Sequence, residues 1–137
     1  MTTMNYARFT VAYWCVLLAV LLPYACAMLA KRAGAARGGR FDNADPRGWL
    51  ARQDGWRARA NGAQANSFEA LPFFIGAVII AHQLGAPQTR LDILALLFVT
   101  LRIIYIAMYV AGLPSVRSGI WALAFLVNIG IFLSGWH

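Results

Sequence analysis

Arg102 is the one charge in an otherwise apolar stretch over residues 93–113, and Tyr105 and Tyr109 follow it at i+3 and i+7. On a helix these three side chains share a face, so one guanidinium and two phenols form a single polar and aromatic stripe. A second set precedes it in the chain. Asn66 and Glu69 lie three residues apart and Phe73 continues their face, while Pro72 removes the amide that would have bonded the carbonyl of Phe68. A loosened turn is expected beside the carboxylate. Arg117 opens the last apolar run, with Trp121, Ala124 and Asn128 at i+4, i+7 and i+11 on its face. Guanidinium, phenol, amide and one carboxylate are groups that grip a small anionic, peptide-like ligand, and an apolar partner could reach them from lipid. Arginine also favours a thiolate: a thiol of pKa about 8.5 becomes appreciably ionised near neutrality beside a guanidinium. Structural uses compete with these roles. Arg102 could tie its helix to Glu69 or to carbonyls, Asn66 and Glu69 could form a cap or an ion pair, and Arg117 could snorkel to a membrane edge.

Other chemistries find little material. The two histidines at positions 82 and 137 and the two cysteines at 15 and 26 do not form a metal-ligand cluster. No metal is expected, and His82 reads as structural. Cys15 and Cys26 lie about 16 Å apart along one helix, too far to bridge. No glycine-rich phosphate loop, zincin helix or nucleophile elbow occurs.

The elements that position these residues must lie in lipid. Of 137 residues, 61% are hydrophobic and only 12% charged, and the mean hydropathy is +0.60. Soluble domains carry about 25% charged residues, so a water-soluble fold is improbable. Ordinary disordered and disulfide-rich secreted classes drop out with it. The uncharged or nearly uncharged runs place four spans at about 9–30, 66–86, 91–113 and 117–136, each long enough to cross about 30 Å of hydrocarbon. No period of a membrane barrel is present, so the fold class is an all-α integral membrane protein, a four-transmembrane-helix bundle forming a single domain over 1–137.

Eight of the twelve Lys and Arg residues fall in the linker 31–59, which makes that loop cytoplasmic and leaves both termini outside. The linker should be partly irregular, then helical. Its charge is explained by topology and anionic lipid, and no nucleic-acid partner is expected. Because the basic cluster follows the first apolar run, that run reads as a retained span and not as a cleaved signal peptide.

The stretch Gln64-Ala65-Asn66-Ser67-Phe68-Glu69-Ala70-Leu71-Pro72-Phe73-Phe74, together with Arg102, Tyr105, Tyr109 and the pair Arg117-Ser118, resembles the second-, third- and fourth-helix patterns of the MAPEG family. These are membrane-associated proteins in eicosanoid and glutathione metabolism. The resemblance covers nearly the whole chain and implies a homotrimer with glutathione held between subunits near the cytoplasmic side. It assigns Asn66 and Glu69 to the peptide part of glutathione, Arg102, Tyr105 and Tyr109 to its carboxylates and backbone, and Arg117 to the thiolate as the catalytic residue. Lys31 or Arg32 resembles the family's further glutathione-contacting base. Where glutathione-binding members commonly carry an arginine four residues before the asparagine, this chain has Gly62, and Ala70 replaces an aromatic after the glutamate.

The activity so implied is that of a glutathione-dependent transferase or peroxidase acting on hydrophobic electrophiles or lipid hydroperoxides, with membrane lipid as surroundings. A bacterial inner membrane is the expected location, since the loops are short and no retention-type tail is seen. The competing reading is a non-catalytic protein of the same fold that binds lipid or a partner. A small multidrug exporter is a third class, but its essential glutamate lies in the first span, where this chain has no acid.

Overall fold

The computed structural model describes residues 9–32, 34 and 36–137, so the first eight positions of the domain read over 1–137 lie outside the described residues. Five helices follow one another: α1 (Val11–Ala30), α2 (Pro46–Ala51), α3 (Gly55–Gln83), α4 (Gln88–Ala111) and α5 (Pro114–Leu133). No strand occurs among the described residues. α1, α3, α4 and α5 are each long and apolar enough to cross a membrane.

The helix ends follow local chemistry. Thr10 caps α1, its Oγ1 accepting from the amide of Tyr13 at 3.2 Å, and Asp92 reaches from α4 to accept from the amide of Ala12 at 2.9 Å. A carboxylate at a helix N-terminus meets free amides and the positive end of the dipole. Asp45 caps α2 ahead of Pro46, whose missing amide is harmless at the first helical position. α4 ends at Gly112, with φ 77°, and the amide of Leu113 then reaches back to the carbonyl of Met108. This left-handed glycine closes the helix, and Pro114 starts the next one directly.

One helix begins earlier than its membrane span. α3 starts at Gly55, about three turns before the span read from hydropathy, so Arg57 and Arg59 belong to a helix and not to the basic loop. The helix also runs unbroken across Pro72. The rest of the linker folds back on the bundle, with Trp49 and Leu50 packed on Ala30 and Ala60 and with Phe41 against Trp49. Gln53 is buried there and bonds the carbonyls of Arg37 and Trp49.

The core between the four long helices is built largely from alanine: Ala12 and Ala19 on α1, Ala77 and Ala81 on α3, Ala95 on α4 and Ala124 on α5. Lipid supplies no hydrophobic force between helices, so close approach through small side chains must hold the bundle. Phe74 and Phe98 stack at its centre, with ring centroids 4.3 Å apart. α1 packs on α3 and α4, and α5 packs on the same pair. Most large apolar side chains of α1 and α5 consequently point outward.

Candidate functional site

α3 and α4 bring the amide of Asn66 and the guanidinium of Arg102 together, with Nη2 of Arg102 donating to Oδ1 of Asn66 at 2.8 Å. Arg102 is only 3% exposed. Neither Glu69 nor any other carboxylate lies within ion-pair distance of it, for the one ion pair among the described residues joins Arg37 to Asp54 in the linker. The alternative in which Glu69 neutralises Arg102 is therefore corrected: the partner is the neutral Asn66, and the buried cation keeps its charge uncompensated. An unpaired buried charge is costly.

The stripe read from spacing is a continuous ladder. The guanidinium of Arg102 lies 4.2 Å from the Tyr105 ring centroid, Tyr105 meets Tyr109 edge-on at 5.8 Å, and the guanidinium of Arg117 covers Tyr109 at 4.3 Å. Cations over aromatic faces are held by the ring quadrupole without hydrogen-bond donors being used up. Arg102, Tyr105, Tyr109 and Arg117 thus connect across the α4–α5 corner.

Beside this ladder a crevice of about 160 Å³ opens between α3, α4 and α5. Asn66, Glu69, Ala70 and Phe73 line it from α3, Phe98 and Arg102 from α4, and Trp121, Ala124, Phe125 and Asn128 from α5. Its upper end is polar and its walls are aromatic, with Trp121 and Phe125 stacked at 5.4 Å and Phe73 against Phe125 at 5.8 Å. Glu69 is exposed at the wall. Of the site residues read from the sequence, Asn66, Glu69 and Arg102 share this crevice, and Tyr105, Tyr109 and Arg117 adjoin it through the ladder.

Lys31 and Arg32 lie elsewhere. They line a separate hollow in the folded linker with Arg40, Phe41 and Trp49, and Nζ of Lys31 sits 4.7 Å from the centroid of the Phe41 ring. Within one chain they do not reach Arg102. His82 packs against Tyr13 at 5.0 Å, at the end of the bundle away from the linker.

Three features escaped sequence reasoning. A Cβ at Gly62 would stand 2.9 Å from Cζ of Tyr109 and overlap its hydroxyl, so the glycine admits the phenol that carries Arg117. Arg57 donates to the carbonyls of Ala30 and Arg32, and Arg59 Nε donates to that of Val110 at 2.9 Å. Both arginines are thereby committed to the C-terminal ends of α1 and α4, where cations complement the dipole. Finally, Asn128 is 3% exposed and its Oδ1 has no hydrogen-bond partner. Its place on the Arg117 face was visible in the spacing, but its lack of a partner was not.

The MAPEG family model matches residues 11–135, nearly the whole chain. The chain belongs to the MAPEG family. No match was found among curated proteins or among solved structures. As a MAPEG member with four membrane-spanning helices it is an integral, multi-pass membrane protein of a family concerned in general with glutathione chemistry. Among the described residues of this MAPEG chain no three His, Cys, Asp or Glu side chains lie together as a metal site.

Proposed function

We propose that the protein is a membrane-bound glutathione-dependent transferase or peroxidase that acts on hydrophobic electrophiles or lipid hydroperoxides. The observation that carries this reading is the buried Arg102 guanidinium, held on Asn66 and lacking a counter-ion, at the polar end of an aromatic crevice. An anion with an apolar co-reactant suits that arrangement. Asn66 and Arg102 would hold a carboxylate and backbone of the tripeptide, with Tyr105 and Tyr109 beside them, and Glu69 would face its amino group. Arg117, free of any carboxylate and stacked on Tyr109, would hold the thiolate.

Bound glutathione would supply the nucleophilic sulfur: a C–S bond forms as the leaving group departs with its electron pair, or two glutathiones become the disulfide as a hydroperoxide goes to alcohol and water. The protein's part is positioning and electrostatic stabilisation. The crevice of one chain, about 160 Å³, is smaller than the about 300–1,000 Å³ of drug-sized ligand sites. Its aromatic wall is open to neighbours, and Lys31 and Arg32 present their charge at a separate place. A homotrimer, in which one subunit's Lys31 or Arg32 completes the crevice of the next, resolves both points. The basic linker faces the cytoplasm in this reading, and the membrane is a bacterial inner membrane.

The test is a glutathione thermal-shift titration on the purified oligomer, followed by turnover of a generic electrophile. A saturable shift and turnover are expected; a flat titration with no turnover refutes the reading. The filling of the space beside Gly62 by Tyr109 favours a second reading, a non-catalytic lipid- or partner-binding protein of this fold. That reading requires a flat glutathione titration and loss of the oligomer in Glu69→Gln or Arg102→Met.

A further inference from the structure

Polar groups in a membrane protein are expensive unless they are paired or functional, and hydrocarbon offers no water to satisfy them. Among the described residues the buried side-chain atoms without a partner are Arg57 Nε, Gln64 Oε1, Ser67 Oγ and Asn128 Oδ1. Asn128 alone of these lines the crevice. It shares that crevice with Asn66, Glu69 and Arg102, and projects from the α5 wall one turn after Ala124 and two after Trp121. Phe73, Phe98 and Phe125 also line the crevice and offer an amide no in-plane partner, and the polar side chains that share it leave Oδ1 of Asn128 unbonded.

We propose that Asn128 binds the polar oxygen of the lipophilic co-substrate, a carbonyl or hydroperoxide oxygen carried on an apolar chain that lies along the aromatic wall. This deepens the proposed transferase or peroxidase reading, on which its link to catalysis rests. The amide supplies two donors and an acceptor, and turning it about its last torsion exchanges them, so the side chain can present an N–H to a carbonyl or its oxygen to an O–H. A buried, unpaired neutral amide discriminates by hydrogen bonding, because a hydrocarbon placed against it leaves it unpaired. The ligand class is an oxygenated amphiphile and not a plain hydrocarbon.

The experiment uses two unreactive probes of equal chain length, a long-chain methyl ketone and the corresponding alkane, in thermal-shift titrations of the detergent-solubilised oligomer. Wild type should bind the ketone more tightly, and Asn128→Leu should weaken the ketone about fivefold to tenfold while leaving the alkane unchanged. Equal shifts by ketone and alkane in wild type overturn the inference without any variant being needed. Dissociation or a large loss of melting temperature in Asn128→Leu also overturns it, since the amide would then be pairing across subunits. Neither probe reacts with a thiol. Ketone selectivity without any glutathione shift would therefore support the inference while removing the transferase reading, and a glutathione shift without ketone selectivity would do the reverse.

Discussion

Replacing Arg102 with methionine separates the two roles open to a buried guanidinium, because they move stability and ligand affinity differently. The side chain donates to Asn66 at 2.8 Å and lies 4.2 Å from the Tyr105 ring, but no carboxylate neutralises it. Methionine keeps most of the stem and leaves no buried charge. Losing the charged hydrogen bond costs about 1.5–3 kcal/mol, and losing the cation–π contact about 0.5–2 kcal/mol. Against this, the desolvation penalty of an unpaired ion, several kcal/mol even after relaxation, disappears. The terms nearly offset, so the ligand-free oligomer should melt within a few degrees of wild type. Glutathione affinity should fall about 10- to 150-fold, the equivalent of one charge-assisted contact. The assay is a thermal-shift titration with glutathione and with glutathione ethyl ester, in which one carboxylate is capped. Wild type should prefer the free acid, and the variant should lose that preference. A variant that melts far below wild type yet binds glutathione with unchanged affinity and selectivity refutes the anion-receptor argument and makes Arg102 a structural tie.

Arg117→Ala should lower turnover about 100-fold with little change in melting temperature, because the side chain is only half-buried and stacks on one ring; parallel losses of rate and stability would contradict this. Gly62→Ala inverts a common rule: alanine normally stabilises a helix interior by about 1 kcal/mol over glycine, but here its Cβ collides with Tyr109. It should lower the melting temperature in wild type and raise it in a Tyr109→Ala background, and stabilisation in both would show that the ring moves freely. Arg57→Met should destabilise by about 2–4 kcal/mol by stranding the carbonyls of Ala30 and Arg32, and should expose the linker to protease. Asp92→Ala, at the opposite end of the bundle, should cost about 1 kcal/mol through the lost cap on α1 while leaving glutathione binding unchanged.

Much of the candidate site was legible because a helix converts spacing into direction. Arg102, Tyr105 and Tyr109 had to share a face once the segment was helical, and the structure brings them into contact in that order, Arg102 over Tyr105 and Tyr105 edge-on to Tyr109. The joining of Arg117 to Tyr109 was less accessible, since it depends on the turn at Gly112 and on how α5 leaves it. Lys31 and Arg32 show the limit more sharply. They end α1 on the same side as the linker, but the fold of Phe41 and Trp49 gathers them into another hollow.

Hydropathy and the basic linker were enough for four membrane helices, and the motif pattern was enough for the family, because both depend on residue type and position along one chain. The pairing of Arg102 with Asn66, the diversion of Arg57 and Arg59 to helix ends, the close approach of Tyr109 to Gly62 and the unpartnered Asn128 amide oxygen emerged only from packing. Each depends on the rotation and depth of one helix against another. The contacts that fix how the four spans pack join residues distant in sequence, as Arg102 to Asn66 and Arg59 to Val110 do.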